Sequence, residues 1–437
     1  ITAPLFKKNY HYRVVDIKCS KLHLNTDSKT IRNNNNIKPF KTQIAIYNLA
    51  LGEMQGYLPN ESYIIGNGWI VNRFQKKKEI IEESDNPLNK FGIINYKNND
   101  KEYYNTALDA VKWINEINNR DDFNHNPIND DRLYPNMCNS YDGIYHKFKS
   151  QLAQNVDEIT SIWNCGHINR ENAFGKNVKS WKDKKCDSVL LGVNGEKKSK
   201  VIDEILTFNR KRDKIINVSK IDNNIRNWRS ENLTFYIDFE TINSTLLNSS
   251  NNSKINVDGD FIFMIGIGWK EPNDRNWKYK CLTAEKISIS EEKRIIGEMV
   301  KFIDDKNREH NTLANVYHWS NAEVSIYRKM NYKYGNIYPQ INWFDLLTFF
   351  KENKILILDC LNFSLKTIAK SMNKYGLIES NWSGDLDNGL DAMFFSWKEY
   401  LKLVDVKNSD IFSKTKKYNE VDCKVLFEIH NYLKDFH

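Results

Sequence analysis

The sequence predicts a mixed α/β protein made of more than one domain. Three observations carry this. The chain has 437 residues, enough for two or three domains, and 40% of them are apolar, enough for each domain to have a core. Short runs of aromatic and β-branched residues alternate with stretches whose apolar residues recur at helical spacing. Polar segments rich in Asn and Ser separate these blocks. The expected divisions are residues 1–144, 145–230 and 231–437.

Composition bounds the setting. Lys and Arg number 64 against 56 acids, a net charge of +8. That surplus permits nucleic-acid binding without requiring it. The clusters Lys76–Lys78, Lys182–Lys185, Lys197–Lys200 and Arg210–Arg212 are most simply solvated faces. No run of about 18 apolar residues is present, so no transmembrane helix is expected. Ile1–Lys8 lack the apolar stretch of a signal peptide. The seven cysteines (19, 138, 165, 186, 281, 360 and 423) are odd in number and form no C-x-x-C pair. Free thiols in a reducing, intracellular compartment are therefore expected, cytoplasm or nucleus, and a viral source is compatible with this.

In the first block, Tyr12–Lys18 reads as a strand with Asp16 and Lys18 on one face. Lys41–Leu51 reads as a helix, and Gln43 and Tyr47 share a face at i and i+4. Tyr63–Gly66 suggests another strand, and Ala107–Asn118 another helix. Asp16-Ile17-Lys18 followed by Gln43-x3-Tyr47 resembles the (D/E)xK and QxxxY motifs of RecB-type nucleases of the PD-(D/E)XK superfamily. The resemblance implies Asp16 as a metal ligand and Lys18 as a catalytic lysine, with Gln43 and Tyr47 holding DNA. That family carries a further Asp on the preceding strand. None of the fifteen residues before Asp16 is acidic, and the chain lacks an initiating Met, so the acid is expected upstream or the domain is expected to be inactive.

Residues 145–215 read as helical. Gly192-x2-Gly195 ahead of a basic helix from Glu196 to Asn209 resembles a helix-hairpin-helix turn, which offers backbone N–H groups to a phosphate. A plain connector with Gly at a helix C-cap fits equally well. Arg210–Lys214 and Ser219–Ser230 read as a linker.

The last block opens with Phe235-Tyr236-Ile237-Asp238-Phe239-Glu240-Thr241, a strand. Residues i and i+2 of a strand point to one face, so Asp238 and Glu240 project together. Paired carboxylates repel unless a cation lies between them, and a hard divalent ion is the usual partner. Phe261–Trp269 is the most apolar run and reads as a central strand, followed by a strand at Trp277–Thr283. A helix at Ser290–Asp305 with Ser290 as cap comes next, then a strand at Ala314–Trp319. Further helices are expected at Ala322–Met330, around Ser364–Ser371 and at Lys416–Leu433. Three strands, a helix, a strand and a helix, with acids on the first strand, resemble the ribonuclease H-like fold.

Asp238-Phe239-Glu240 resembles the first motif of DEDD exonucleases, and Tyr418-x3-Asp422 resembles their third motif in its YxxxD form. The second motif departs from the pattern, with Glu323 where Asp is usual. This form resembles a subgroup in which a RecB-like domain, a helical segment and a ribonuclease H-like domain are fused. The resemblance implies a DEDDy-type 3′–5′ exonuclease in which Asp238, Glu240, Glu323 and Asp422 bind Mg2+ or Mn2+. It also implies that Tyr418 orients the water or phosphate and that Lys366 contacts a phosphate. Asp345 is either a helix cap or the true second-motif acid, and Glu323 is preferred because it begins a helix just after a strand. The implied partner is nucleic acid, DNA ahead of RNA, with a larger protein assembly and no membrane. The alternative is a catalytically inactive scaffold that binds nucleic acid through nuclease folds.

Overall fold

The computed structural model describes residues 2–33, 37–75, 78–119, 131–139, 142–218, 221, 225–249, 259–274, 276–382 and 389–437. Of the polar loops expected at 120–131 and 248–260, residues 120–130 and 250–258 lie outside these residues, as do Lys76 and Lys77, while Asn248 and Ser249 end a short helix instead. The protein is a mixed α/β chain that divides into two compact units, Ile1–Pro127 and Ile128–His437.

The first unit runs β1 (Val15–Ile17), β2 (Lys21–Leu24), α1 (Lys38–Gln55), β3 (Glu61–Ile65), β4 (Gly68–Gln75), β5 (Lys78–Ser84), β6 (Gly92–Asn95) and α2 (Glu102–Asn118). The strands form two small mixed sheets, ordered β1-β3-β6 and β2-β4-β5. The first strand is shorter than the sequence suggests, while α1 starts earlier and ends later. Its core gathers Leu22, Ile44, Ile64, Val71, Ile94 and Ala107. At its centre the Lys41 ammonium is buried and fully engaged. It donates to the Ile31 carbonyl at 2.8 Å, to Asn33 Oδ1 at 2.7 Å and to Asp100 Oδ1 at 2.6 Å. A buried charge is tolerable only with such partners.

The second unit begins with α3 (His146–Asn155), α4 (His167–Phe174), α5 (Glu196–Lys211) and β7 (Ile216–Asn217). It continues with β8 (Thr234–Ile242), α6 (Ser244–Ser249), β9 (Phe261–Lys270), β10 (Lys278–Thr283), α7 (Ile289–Glu309), β11 (Asn315–His318) and α8 (Ala322–Lys333). It closes with β12 (Trp343–Asp345), α9 (Leu346–Glu352), β13 (Leu356–Ile357), α10 (Leu365–Lys374), α11 (Gly389–Leu401) and α12 (Asp410–Phe436). Five strands make the main sheet in the order β10-β9-β8-β11-β12. The β10–β9 and β9–β8 pairs are antiparallel, and the β8–β11 and β11–β12 pairs are parallel.

Both faces of this sheet are covered. Phe235, Ile237 and Phe239 of β8 enter one core with Ile295, Ile296 and Met299 of α7. Tyr236, from the opposite face, enters a second core with Val425, Leu426 and Ile429 of α12. The period-two alternation of β8 thus sends Phe235, Ile237 and Phe239 toward α7, and Tyr236 with the two acids toward α12. The stretch read as a linker joins that second core through Ile221 and Trp228, and β7 pairs with β13.

In the second unit the starts of α7 and α12 differ from expectation. Ser288, not Ser290, caps α7 and accepts from the Glu291 backbone N–H at 3.3 Å. A capping residue must be extended and reach forward three positions, and Ser290 is already helical. Ser409 caps α12, which begins at Asp410 rather than near 416. The extra residues, 410–415, include the buried Phe412 and Thr415.

His430 of α12 anchors the helix to the sheet. Its Nε2–H donates to the Trp228 carbonyl at 2.7 Å, so the neutral ring accepts at Nδ1 from the Tyr236 hydroxyl, also 2.7 Å away. Burial lowers its pKa to about 3. An unfolded His takes up its proton near pH 6.5. Between those values the unfolded chain binds the extra proton, so this residue's contribution is intact above about 6.5 and lost as pH falls toward 3. His430→Leu is expected to be less stable than wild type at pH 7. The gap, measured by urea unfolding, should narrow at pH 5, and a constant gap would contradict the assignment. Tyr236→Phe, which orphans Nδ1, should cost about 1–3 kcal/mol at pH 7.

Candidate metal centre

Asp238, Glu240 and Asp422 come together. Each offers a carboxylate oxygen, and these oxygens lie within 4.8 Å of one another. Asp238 and Glu240 stand two apart on β8, opposite Gly266 and Met264 of β9, and the β8–β9 register shifts just after Glu240. Asp422 arrives from α12, across the covered face. Glu240 and Asp422 are only 6% and 8% exposed, while Asp238 is partly open.

The electrostatics follow from burial and like charge. Burial, then Asp422, Glu240 and Glu323, push the Asp238 carboxyl well above the usual range. Burial and Asp422 raise Glu240 to about 8. Burial raises Asp422 to about 7, with Lys366 and a hydrogen bond from Trp382 opposing it. All members of the set are carboxylates, with no Cys or His among them, which is the donor chemistry of Mg2+ or Mn2+.

Other expected residues surround this cluster. Tyr418 lies one turn before Asp422, and its hydroxyl is near enough to that carboxyl to lower its pKa. Burial and the adjacent acids hold the hydroxyl protonated. The Lys366 ammonium sits 4.9 Å from the centre of the Tyr418 ring and 5.5 Å from that of Trp382. Glu323, at the start of α8, is outside the three-acid group but near enough to raise Asp238 and Asp422. It is 8% exposed, its Oε2 makes no hydrogen bond, and that atom lies 3.5 Å from Nδ1 of the buried His318.

Asp345 is a helix cap. Its Oδ1 accepts from the backbone N–H groups of Leu347 and Ser320 at 2.9 and 3.0 Å, and its Oδ2 accepts from the Thr348 hydroxyl at 2.6 Å. Ser320 has a φ of 72°, so Asp345 braces the strained turn that leads into α8 and Glu323.

Sequence reasoning passed over three residues that hold this arrangement. Trp382 Nε1 donates to Asp422 Oδ1 at 3.2 Å. Asn419 Nδ2 donates to Asp238 Oδ2 at 2.7 Å, and the Tyr279 hydroxyl donates to Asn419 Oδ1 at 2.9 Å. The available signal was Gly266-x-Gly268 inside an apolar strand, which marks close approach. A Cβ on Gly266 would lie 1.7 Å from Asn419 Oδ1, and one on Gly268 would lie 2.0 Å from the Trp277 ring.

In the first unit, Asp16, Lys18, Gln43 and Tyr47 form one continuous chain of contacts. The Lys18 ammonium is 2.7 Å from Asp16 Oδ2 and donates to Gln43 Oε1 at 2.7 Å, and Gln43 Nε2 donates to the Tyr47 hydroxyl at 2.7 Å. Among the described residues no group of three metal-binding side chains includes Asp16. Gly192 and Gly195 both have positive φ, 67° and 105°. Gly192 packs against Asn172, whose Nδ2 would lie 2.5 Å from a Cβ there, and Gly195 caps α5 in open space.

All seven cysteines are free. Among the described residues no helix is long and apolar enough to cross a membrane. Comparison with family models, curated proteins and solved structures returned no match.

The raised acids make the metal-free fold sensitive to pH. Unfolded Asp and Glu lose their protons near pH 4, whereas folded Asp422 and Glu240 keep theirs to about 7 and 8. Their stabilising contribution is therefore full below about pH 4 and lost as pH rises through the folded values. In EDTA, Glu240→Gln should unfold at a higher temperature than wild type at pH 8, with little difference at pH 5. Equal differences at the two pH values would count against this electrostatic account.

Proposed function

We propose that the protein is a metal-dependent nuclease whose C-terminal unit hydrolyses phosphodiester bonds from a 3′ end. One observation carries the reading: three carboxylates are gathered in a shielded site with their oxygens within 4.8 Å. Like charges at such range are untenable in low dielectric without protons or a cation between them. Mg2+ or Mn2+ suits an all-oxygen set, and Asp238, Glu240 and Asp422 would hold it, with Glu323 as the further acid. Bound there, one or two such ions would polarise the phosphodiester and lower the pKa of an attacking water.

The chain's own groups take the remaining tasks. Lys366 presents its ammonium to a phosphate oxygen beside the acids. Tyr418 keeps its proton and orients the water or the scissile phosphate by hydrogen bonding. The water oxygen bonds to phosphorus as the bond to the 3′ oxygen breaks. Asp345, saturated by its cap contacts, supports the turn before Glu323. DNA is the preferred substrate over RNA.

In the N-terminal unit the Asp16 carboxylate is already paired with Lys18. That favours a gripping role for Asp16, Lys18, Gln43 and Tyr47 over cleavage. In a larger assembly this unit would serve as a nucleic-acid scaffold.

The test is a degradation time course on 3′-labelled and 5′-labelled single strands of DNA and RNA, with Mn2+ or with EDTA. Wild type should shorten strands from the 3′ end only with the metal. Asp238→Ala should lower the rate by more than the roughly 100-fold that loss of an outer-shell partner costs, whereas Asp16→Ala should weaken strand binding without abolishing metal-dependent cleavage. Metal-dependent cleavage that survives Asp238→Ala would refute the assignment.

A further inference from the structure

The hydrogen-bond chain behind Asp238 is built to a degree that core packing does not require. Asn419 is fully buried, and its Nδ2 donates to Asp238 Oδ2 at 2.7 Å and to the Asp238 backbone carbonyl at 3.3 Å. The side-chain amide could in principle present either end to the acids. Tyr279 decides which, because its hydroxyl donates to Asn419 Oδ1 at 2.9 Å and so turns the NH2 group toward β8. Space for the amide exists only because residue 266 has no side chain. One neutral side chain thus serves both the carboxylate and the backbone carbonyl of Asp238 without adding charge.

A separate observation points to a ligand in front of these acids. Glu323 is 8% exposed, belongs to a different element and carries a shielded Oε2 without a hydrogen bond, yet its charge acts on Asp238 and Asp422. A fourth carboxylate so placed suits a cation in front of the acids; its Oε2 otherwise faces only Nδ1 of His318, at 3.5 Å and without a hydrogen bond.

From this geometry we infer that Asn419, locked in orientation by Tyr279, is a positioning residue for a divalent cation: it occupies Asp238 Oδ2 so that the other carboxylate oxygen faces the ion. This rests on the proposed metal-dependent function. Outer-shell partners of this kind orient a ligand and strengthen binding by about tenfold to a hundredfold. Tyr279 acts only through Asn419, so the two residues form a single device.

The experiment is Mn2+ titration of the full chain by electron paramagnetic resonance and calorimetry, with no substrate present. It compares wild type, Asn419→Ala, Tyr279→Phe, the double variant and Asp238→Asn. Asn419→Ala should weaken Mn2+ binding about tenfold to a hundredfold. Tyr279→Phe, which keeps its ring beside Trp277 and removes only the hydroxyl, should weaken it several-fold. The double variant should be no weaker than Asn419→Ala alone, because the hydroxyl has nothing to orient once the amide is gone.

Affinities of Asn419→Ala and Tyr279→Phe within twofold of wild type, alongside loss of binding in Asp238→Asn, would overturn the positioning role and leave the metal site standing. Effects of the two variants that multiply in the double variant would also overturn it, since separate structural defects behave that way. A wild-type chain that binds no Mn2+ would remove the metal reading and this inference together. If Asn419→Ala does not fold, Tyr279→Phe decides alone.

Discussion

Like-charge repulsion in a shielded site is the constraint on which the second unit depends. Two carboxylates on adjacent same-face positions of a strand are ordinary at a surface. Under a long helix they are costly, and a third from that helix makes them more so. The raised values of Glu240 and Asp422 express that cost. The surrounding structure moderates it with neutral donors from Asn419 and Trp382, with the nearby Tyr418 hydroxyl, and with the adjacent ammonium of Lys366. None of these cancels the charge, and that uncancelled charge is what the proposed divalent ion would meet.

The sheet makes the arrangement possible. Because β8 lies in the middle of five strands with α7 on one face and α12 on the other, its aromatic residues and its acids are held in fixed register. Gly266 and Gly268 let α12 and Trp277 approach the sheet closely. The buried His430 bridge to Tyr236 and Trp228 secures the same helix further along. The position of Asp422 therefore follows from the packing of a 27-residue helix rather than from a loop.

The first unit handles its acid differently. Asp16 meets a lysine two positions away on the same strand face, and Lys18 in turn meets Gln43 and Tyr47. The like-charge repulsion of the second unit does not arise. Similar local patterns, an acid and its i+2 neighbour on a strand, thus lead to opposite electrostatic outcomes, and the sign of the neighbour's charge is the cause.

The sequence by itself determined what short-range geometry controls. Period two placed Asp238 with Glu240 and Asp16 with Lys18, and helical spacing placed Gln43 with Tyr47 and Tyr418 with Asp422. These follow from backbone geometry once the element type is known. It also marked β9 as a central strand and identified the helix that carries Glu323. Tertiary structure alone decided which distant pieces meet. It brought Asp422 to β8 from about 180 residues further along, made Asp345 a cap, set Glu323 beside rather than within the cluster, and drew the supposed linker into the core. It also recruited Asn419, Tyr279 and Trp382, residues whose roles depend on a partner across the fold. Local periodicity is a property of neighbouring peptide units, whereas these contacts depend on how apolar faces from separate segments pack, and no spacing along the chain records that.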